Sequence, residues 1–221
     1  GGVALTGPTG VSVADLDAGR LVFTPAPDAS GDGYARFDFQ VQDDGGTADG
    51  GADTDPTPNT VTIDVSPVDD LVTVADAAAS VSEEGLAGGR ADDAGTPDGT
   101  DATTASGRVV AADIDGDPIA LALLAPTQAL TSRGEAVAWV GSGTQALTAT
   151  AGGRTIATVT IDDAGSYGFT LRGAIDHPGA DLEDSLTLDI GVRASAGGRS
   201  ADGLLSITVE DDGPVPSPAT L

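Results

Sequence analysis

Three carboxylates crowd one short turn, Asp113-Ile114-Asp115-Gly116-Asp117, and here the chain comes closest to a chemical site. Glycine lets such a turn close tightly, so several carboxylate oxygens can be aimed at one point, as a hard divalent cation requires. The spacing is not that of an EF-hand loop. Its twelfth position must be a bidentate acid, and counted from Asp113 that position is Leu124. The competing reading is a solvated Asp/Gly turn that holds no ligand. Catalytic machinery is harder to assemble. The single histidine, His177, lies between Asp176 and Pro178. A Ser-His-Asp triad can be imagined around it, but a histidine beside a proline in a strand connection reads first as a turn residue. No nucleophile elbow or convergent acid pair accompanies it, so the sequence predicts no enzyme. No Gly-rich phosphate loop joins a strand to a helix, and no basic patch exists.

The surroundings of these residues are strongly acidic. Thirty-five Asp and Glu face nine basic residues, all arginine, for a formal net charge of −26 across 221 residues. Nucleic acid and anionic membranes are poor partners for such a surface. Self-repulsion on this scale destabilises a compact fold unless cations relieve it, and clustered carboxylates suit calcium. Between Asp117 and Asp162 there is one acid, Glu135, while acids collect at residues 28–70, 83–117, 162–189 and 202–212. Adaptation to high salt would spread acids over outward strand faces as well, where this chain carries mostly Thr, Ser, Ala and Gly; clustering at turns favours metal sites. Cysteine is absent, which excludes disulfides, Cys-ligated zinc and a thiol nucleophile, and fits an exported chain. No signal-peptide pattern is present, so the chain reads as an internal fragment whose targeting signal lies elsewhere. The longest aliphatic run, Ile119 to Ala125, is too short to cross a bilayer.

Strands must position the acids. Alternation with period two is clearest in Val61–Val65 and Leu186–Val192, and similar patterns cover residues 34–41, 108–114, 145–151, 155–161, 166–171 and 204–209. No stretch has a helical period. Gly and Pro interrupt these runs roughly every ten residues, the rhythm of an antiparallel sandwich, so the fold class is all-β. Gly152-Gly153, between Thr-rich runs, predicts a two-residue hairpin turn. With 3% aromatic residues, the core must be aliphatic. Trp139, Tyr167 and Phe169 lie in alternating runs and are expected in that core rather than on a sugar-stacking platform. The acidic pairs after Pro67-Val68 and after Val209-Glu210 read as linkers. They divide the chain into residues 1–68, the C-terminal part of one module, 71–212, a complete module, and 213–221, a linker to the next.

Several motifs resemble the cadherin-like and type I secretion target repeat modules of large bacterial repeats-in-toxin adhesins: Val81-Ser82-Glu83-Glu84-Gly85-Leu86, Asp176-His177-Pro178, Glu183-Asp184-Ser185-Leu186-Thr187-Leu188-Asp189 and Val209-Glu210-Asp211-Asp212-Gly213-Pro214. Residues 34–70, with Tyr34, Phe37, Phe39 and Asp43-Asp44-Gly45, resemble the end of a related repeat. The resemblance implies tandem Ig-like or cadherin-like sandwich modules, exported by type I secretion to the bacterial surface, with Ca2+ between neighbouring modules of the same chain. At one pole of the second module it implies ligands from Glu83 or Glu84, Glu183 or Asp184, and Asp211 with Asp212. At the other it implies Asp113, Asp115 and Asp117 meeting Asp69 and Asp70. The acidic turn after the penultimate strand, kept at Asp43 and Asp44 in the first module, is replaced in the second by Arg193 to Arg199, so fewer or weaker ions are expected there. The function expected is a structural spacer of a secreted adhesin. A glycan- or peptide-binding module, using the Gly/Thr/Asp-rich stretch from Asp92 to Gly107, and a salt-adapted sandwich without metal sites are the rivals.

Overall fold

The computed structural model describes residues 4–90, 101–178 and 184–213. The chain divides into two compact units, residues 1–68 and 69–221. The first contains a one-turn helix, α1 (Val13–Asp17), capped by Ser12, whose hydroxyl accepts from the Asp15 amide. That turn departs from the expectation of no helix: Ser-x-x-Asp supplies a reciprocal cap for a segment too short to show a period. Strands β1 (Gly31–Phe39) and β2 (Asn59–Val65) pair antiparallel, and the intervening Asp43-Asp44-Gly45 turn closes as Asp43 accepts from the Gly45 amide. Every buried hydrophobic residue among those described lies at Val72 or beyond, so this two-stranded sheet has no core of its own.

The second unit is a sandwich. In chain order its strands are β3 (Thr73–Val74), β4 (Ala77–Ser82), β5 (Thr104–Arg108), β6 (Ala111–Ala112), β7 (Ala120–Leu124), β8 (Thr131–Ser132), β9 (Glu135–Ala136), β10 (Ala138–Val140), β11 (Ala146–Ala151), β12 (Arg154–Ile161), β13 (Ser166–Leu171), β14 (Ser185–Ala196) and β15 (Arg199–Glu210). One sheet has the order β10-β11-β12-β13-β5 and the other β4-β15-β14-β7. Alternation decides which face is buried. Leu147, Ala149, Tyr167, Phe169 and Leu171 point inward from the first sheet, and Leu188, Ile190, Val192, Leu205, Ile207 and Val209 from the second. The core is aliphatic apart from Tyr167 and Phe169, and Trp139 packs half-buried at its margin, so these aromatics form no exposed platform.

Gly152 and Gly153 both take positive φ, 54° and 77°, and join β11 to β12 in the expected tight turn. A second such turn, Gly197-Gly198, joins β14 to β15. Most of Arg193–Arg199 is therefore strand rather than turn, and Arg193 forks onto both Asp202 oxygens across the hairpin at 2.7 Å. The run expected as one strand over residues 108–114 is broken: β5 ends at Arg108, and Ala111-Ala112 form β6, which pairs with β3 instead. The stretch from Asp92 lies outside the described residues as far as Thr100, and its end is strand β5. All pairings in the two large sheets are antiparallel except β4 with β15, which is parallel.

Candidate metal centres

That parallel pairing builds one pole. Its register sets Ser82 against Glu210, so the next residues along, Glu83 and Asp211, emerge side by side, and the Glu83 amide extends the ladder to the Glu210 carbonyl at 2.9 Å. The segment 174–177 closes over them. It is held from behind by the β8–β9 hairpin: the Ser132 hydroxyl donates to the Ala174 carbonyl at 2.6 Å, and Asp176 accepts from the Arg133 and Gly134 amides at 2.6 and 2.7 Å. Those amides, with Thr131, hold the Asp176 carboxyl below its ordinary value. The result is that His177, with only 1% of its side chain exposed, faces Glu83 and Asp211.

One ligand-type atom from each of Glu83, His177 and Asp211 lies within 4.8 Å of the other two, the only such trio found among the described residues. His177 Nδ1 bonds Asp184 Oδ1 at 2.8 Å. Its Nε2 is buried, makes no hydrogen bond, and stands 3.6 Å from Glu83 Oε1. Glu83 is 3% exposed and its Oε1 accepts from the Ile175 amide at 2.7 Å. Burial disfavours the imidazolium, but the facing Glu83 carboxylate, the charge of Asp211 and the bond to Asp184 outweigh it and raise the His177 pKa above 6.5. Asp211 is pushed up by burial and by the nearby negative charges of Glu83 and Asp212, with His177 opposing.

Of the residues expected at this pole, Glu83 and Asp211 come together. Asp184 acts through the histidine rather than beside the acids. The Glu84 amide turns back onto the Ser82 hydroxyl, and Asp212 donates its amide to Asp211 Oδ1. Glu183 lies outside the described residues. The sequence reading took His177 for a turn residue and missed its place here. The available signal was a histidine flanked by Asp176 and followed by Asp184.

The opposite pole gathers the turn and the residues after Val68. The Asp70 amide donates to Asp115 Oδ2 at 2.7 Å, and the Asp117 amide to Asp113 Oδ1 at 3.1 Å. Asp69 Oδ1 and Asp113 Oδ2 are buried atoms without a hydrogen-bond partner. Asp69 and Asp117 crowd the same point: a Cβ on Gly197 would overlap Asp69 Oδ1 and lie 2.5 Å from Asp117 Oδ2. The other Asp69 oxygen is bonded by Arg199 Nε at 3.1 Å. The acid-free hairpin thus brings a guanidinium to this pole, which supplies part of the positive charge an ion would otherwise provide. In the first unit the Asp43 carboxylate caps its own turn. No family model, curated protein or solved structure matches the chain.

Proposed function

We propose that the chain is part of a large secreted bacterial surface adhesin, in which these modules are structural spacers stiffened by calcium where one module leads into the next. The observation that carries this reading is at the pole of Asp69, Asp70, Asp113, Asp115 and Asp117. The residues that follow the first unit are bonded into the acidic turn, and two buried carboxylate oxygens there lack a partner. Unpartnered buried oxygens are costly, and an all-oxygen donor set fits calcium. The motif resemblance points the same way. An ion there would tie the entering chain to the turn, converting a flexible linker into a fixed one, and at extracellular calcium levels it would fill only after export.

The test is thermal and urea unfolding in EDTA, in millimolar calcium and in NaCl of equal ionic strength, followed through Trp139. A calcium concentration about a hundredfold above Kd stabilises by about 2.7 kcal/mol, whereas screening of diffuse repulsion does not distinguish the cations. The double variant Asp115→Asn with Asp117→Asn is expected to fold in EDTA as the parent does and to lose the calcium response. Equal midpoints in calcium and NaCl would sink the calcium reading and leave a salt-adapted sandwich. Glycan binding by the isolated chain would favour a ligand-binding module instead.

A further inference from the structure

The acid-histidine pole does not resemble a calcium site, because one of its converging atoms is an imidazole nitrogen and calcium takes oxygen. His177 fixes the argument. Its Nδ1 faces the Asp184 carboxylate at 2.8 Å, which acts only as an acceptor, so Nδ1 carries the proton. In the neutral ring Nε2 then carries a lone pair, and it is buried 3.6 Å from Glu83 Oε1, in a cluster that also holds Asp211, with no hydrogen bond of its own. A lone pair buried against anions demands a cation between them. The 3.6 Å from Nε2 to Glu83 Oε1 is too long for a hydrogen bond. It is close to the separation of about 3.4 Å between two ligands each some 2.1 Å from a tetrahedral zinc ion. A carboxylate on the far ring nitrogen is the arrangement that orients a metal-bound histidine and strengthens its donor atom.

We propose that Glu83, His177 Nε2 and Asp211 form a binding site for a divalent ion of the zinc class, with Asp184 as the positioning residue that holds the imidazole tautomer. Such an ion clasps three segments at once: the end of β4, the 174–177 connection and the chain leaving β15. Water completes the coordination. The site stands on geometry separate from the calcium pole and does not depend on the adhesin reading.

The experiment uses the full chain, freed of any polyhistidine tag, with Zn2+ as the probe in the presence of excess Ca2+. Because His177 is the sole histidine, its ring 15N resonances need no assignment. Expected are one tight Zn2+ per chain by competition with a chelator, with a Kd of about 1 µM or below, and a zinc-dependent shift at Nε2. His177→Gln should weaken binding at least about a hundredfold, and Asp184→Asn about ten- to a hundredfold. Unmoved histidine resonances, or a variant His177→Gln that binds Zn2+ as tightly as the parent, overturn the proposal and leave a proton as the cation between these groups. Should His177→Gln fail to fold, Co2+ in the parent chain decides. Intense visible bands of a low-coordinate site with paramagnetically shifted imidazole signals support it, and a weak octahedral spectrum with unshifted imidazole overturns it. The calcium response of the Asp115/Asp117 variant is read separately, so either assignment can fail alone.

Discussion

Replacing Gly197 with alanine, beside a matched replacement of Gly198, tests the acidic pole. Both glycines are left-handed, with φ of 55° and 85°, and an L-residue there costs about 1–2 kcal/mol from the backbone alone. Gly198 has open space around its missing Cβ, so Gly198→Ala should lose that much and no more. At Gly197 the new methyl would overlap Asp69 Oδ1 and sit 2.5 Å from Asp117 Oδ2, where ordinary contacts begin at 3.4 Å. The Asp69 carboxylate does not yield freely, since Arg199 holds its other oxygen. Such overpacking adds about 1–3 kcal/mol, so Gly197→Ala should lose about 2–5 kcal/mol in EDTA. In saturating calcium the gap between the two variants should widen, because the displaced carboxylates also lose the ion. The assay is urea unfolding of each variant in both conditions, followed through Trp139. Equal losses for the two variants in EDTA would refute the close approach of Asp69 and Asp117, and an unchanged gap in calcium would refute their role in binding it.

Phe169→Ala removes the largest fully buried side chain and should cost about 3–5 kcal/mol in urea unfolding; a loss near zero would mean that the two sheets do not meet there. The Asp202 carboxyl is held below its ordinary value of 3.8 by its hydrogen bonds and charge contact with Arg193. Its contribution to stability is therefore present above 3.8 and lost as pH falls through the lowered value. Carboxyl NMR titration should show that depressed midpoint, and Arg193→Gln should return it toward 3.8. The sheet of β1 and β2 buries no hydrophobic side chain among the described residues, and two strands alone are marginal, so trypsin should cut at Arg20 and Arg36 well before the arginines in strands of the second unit. Simultaneous cleavage in both units would contradict this.

The sheets were legible where side chains alternate strictly. Residues 145–151, 155–161 and 166–171 match β11 to β13 closely, because large apolar residues recur at alternate positions against Thr, Ser or Gly, the one exception being the β12 bulge that buries Ile156 beside Ala157. Strand β15 begins five residues before the Leu204 read from sequence, since Arg199 to Gly203 pairs across the hairpin without burying large apolar groups. Ile119–Ala125, apolar on both faces, showed no alternation and contains β7. The short strands β3, β6, β8 and β9 have two residues each, too few for any period. At the acidic turn, spacing alone named Asp113, Asp115 and Asp117, and the structure brings Asp69 and Asp70 to them. The histidine pole was less legible. Glu83 and Asp211 were named, but what unites them is a parallel register across more than a hundred residues of chain, and His177 reaches them on a segment held by the β8–β9 hairpin; no local pattern encodes either long-range contact.

The same parallel ladder has a mechanical consequence. Six paired positions, from Ala77 with Leu205 to Ser82 with Glu210, join β4, the first long strand after the chain enters the second unit, to β15, the last strand before it leaves. Tension applied at the two ends of this unit pulls those strands past each other along their length, so the rungs bear the load together in shear. An antiparallel hairpin pulled from its open end would instead unzip rung by rung. Resistance to stretching is set by the barrier to the first rupture rather than by equilibrium stability, so this unit can hold under tension more strongly than its melting behaviour alone would indicate.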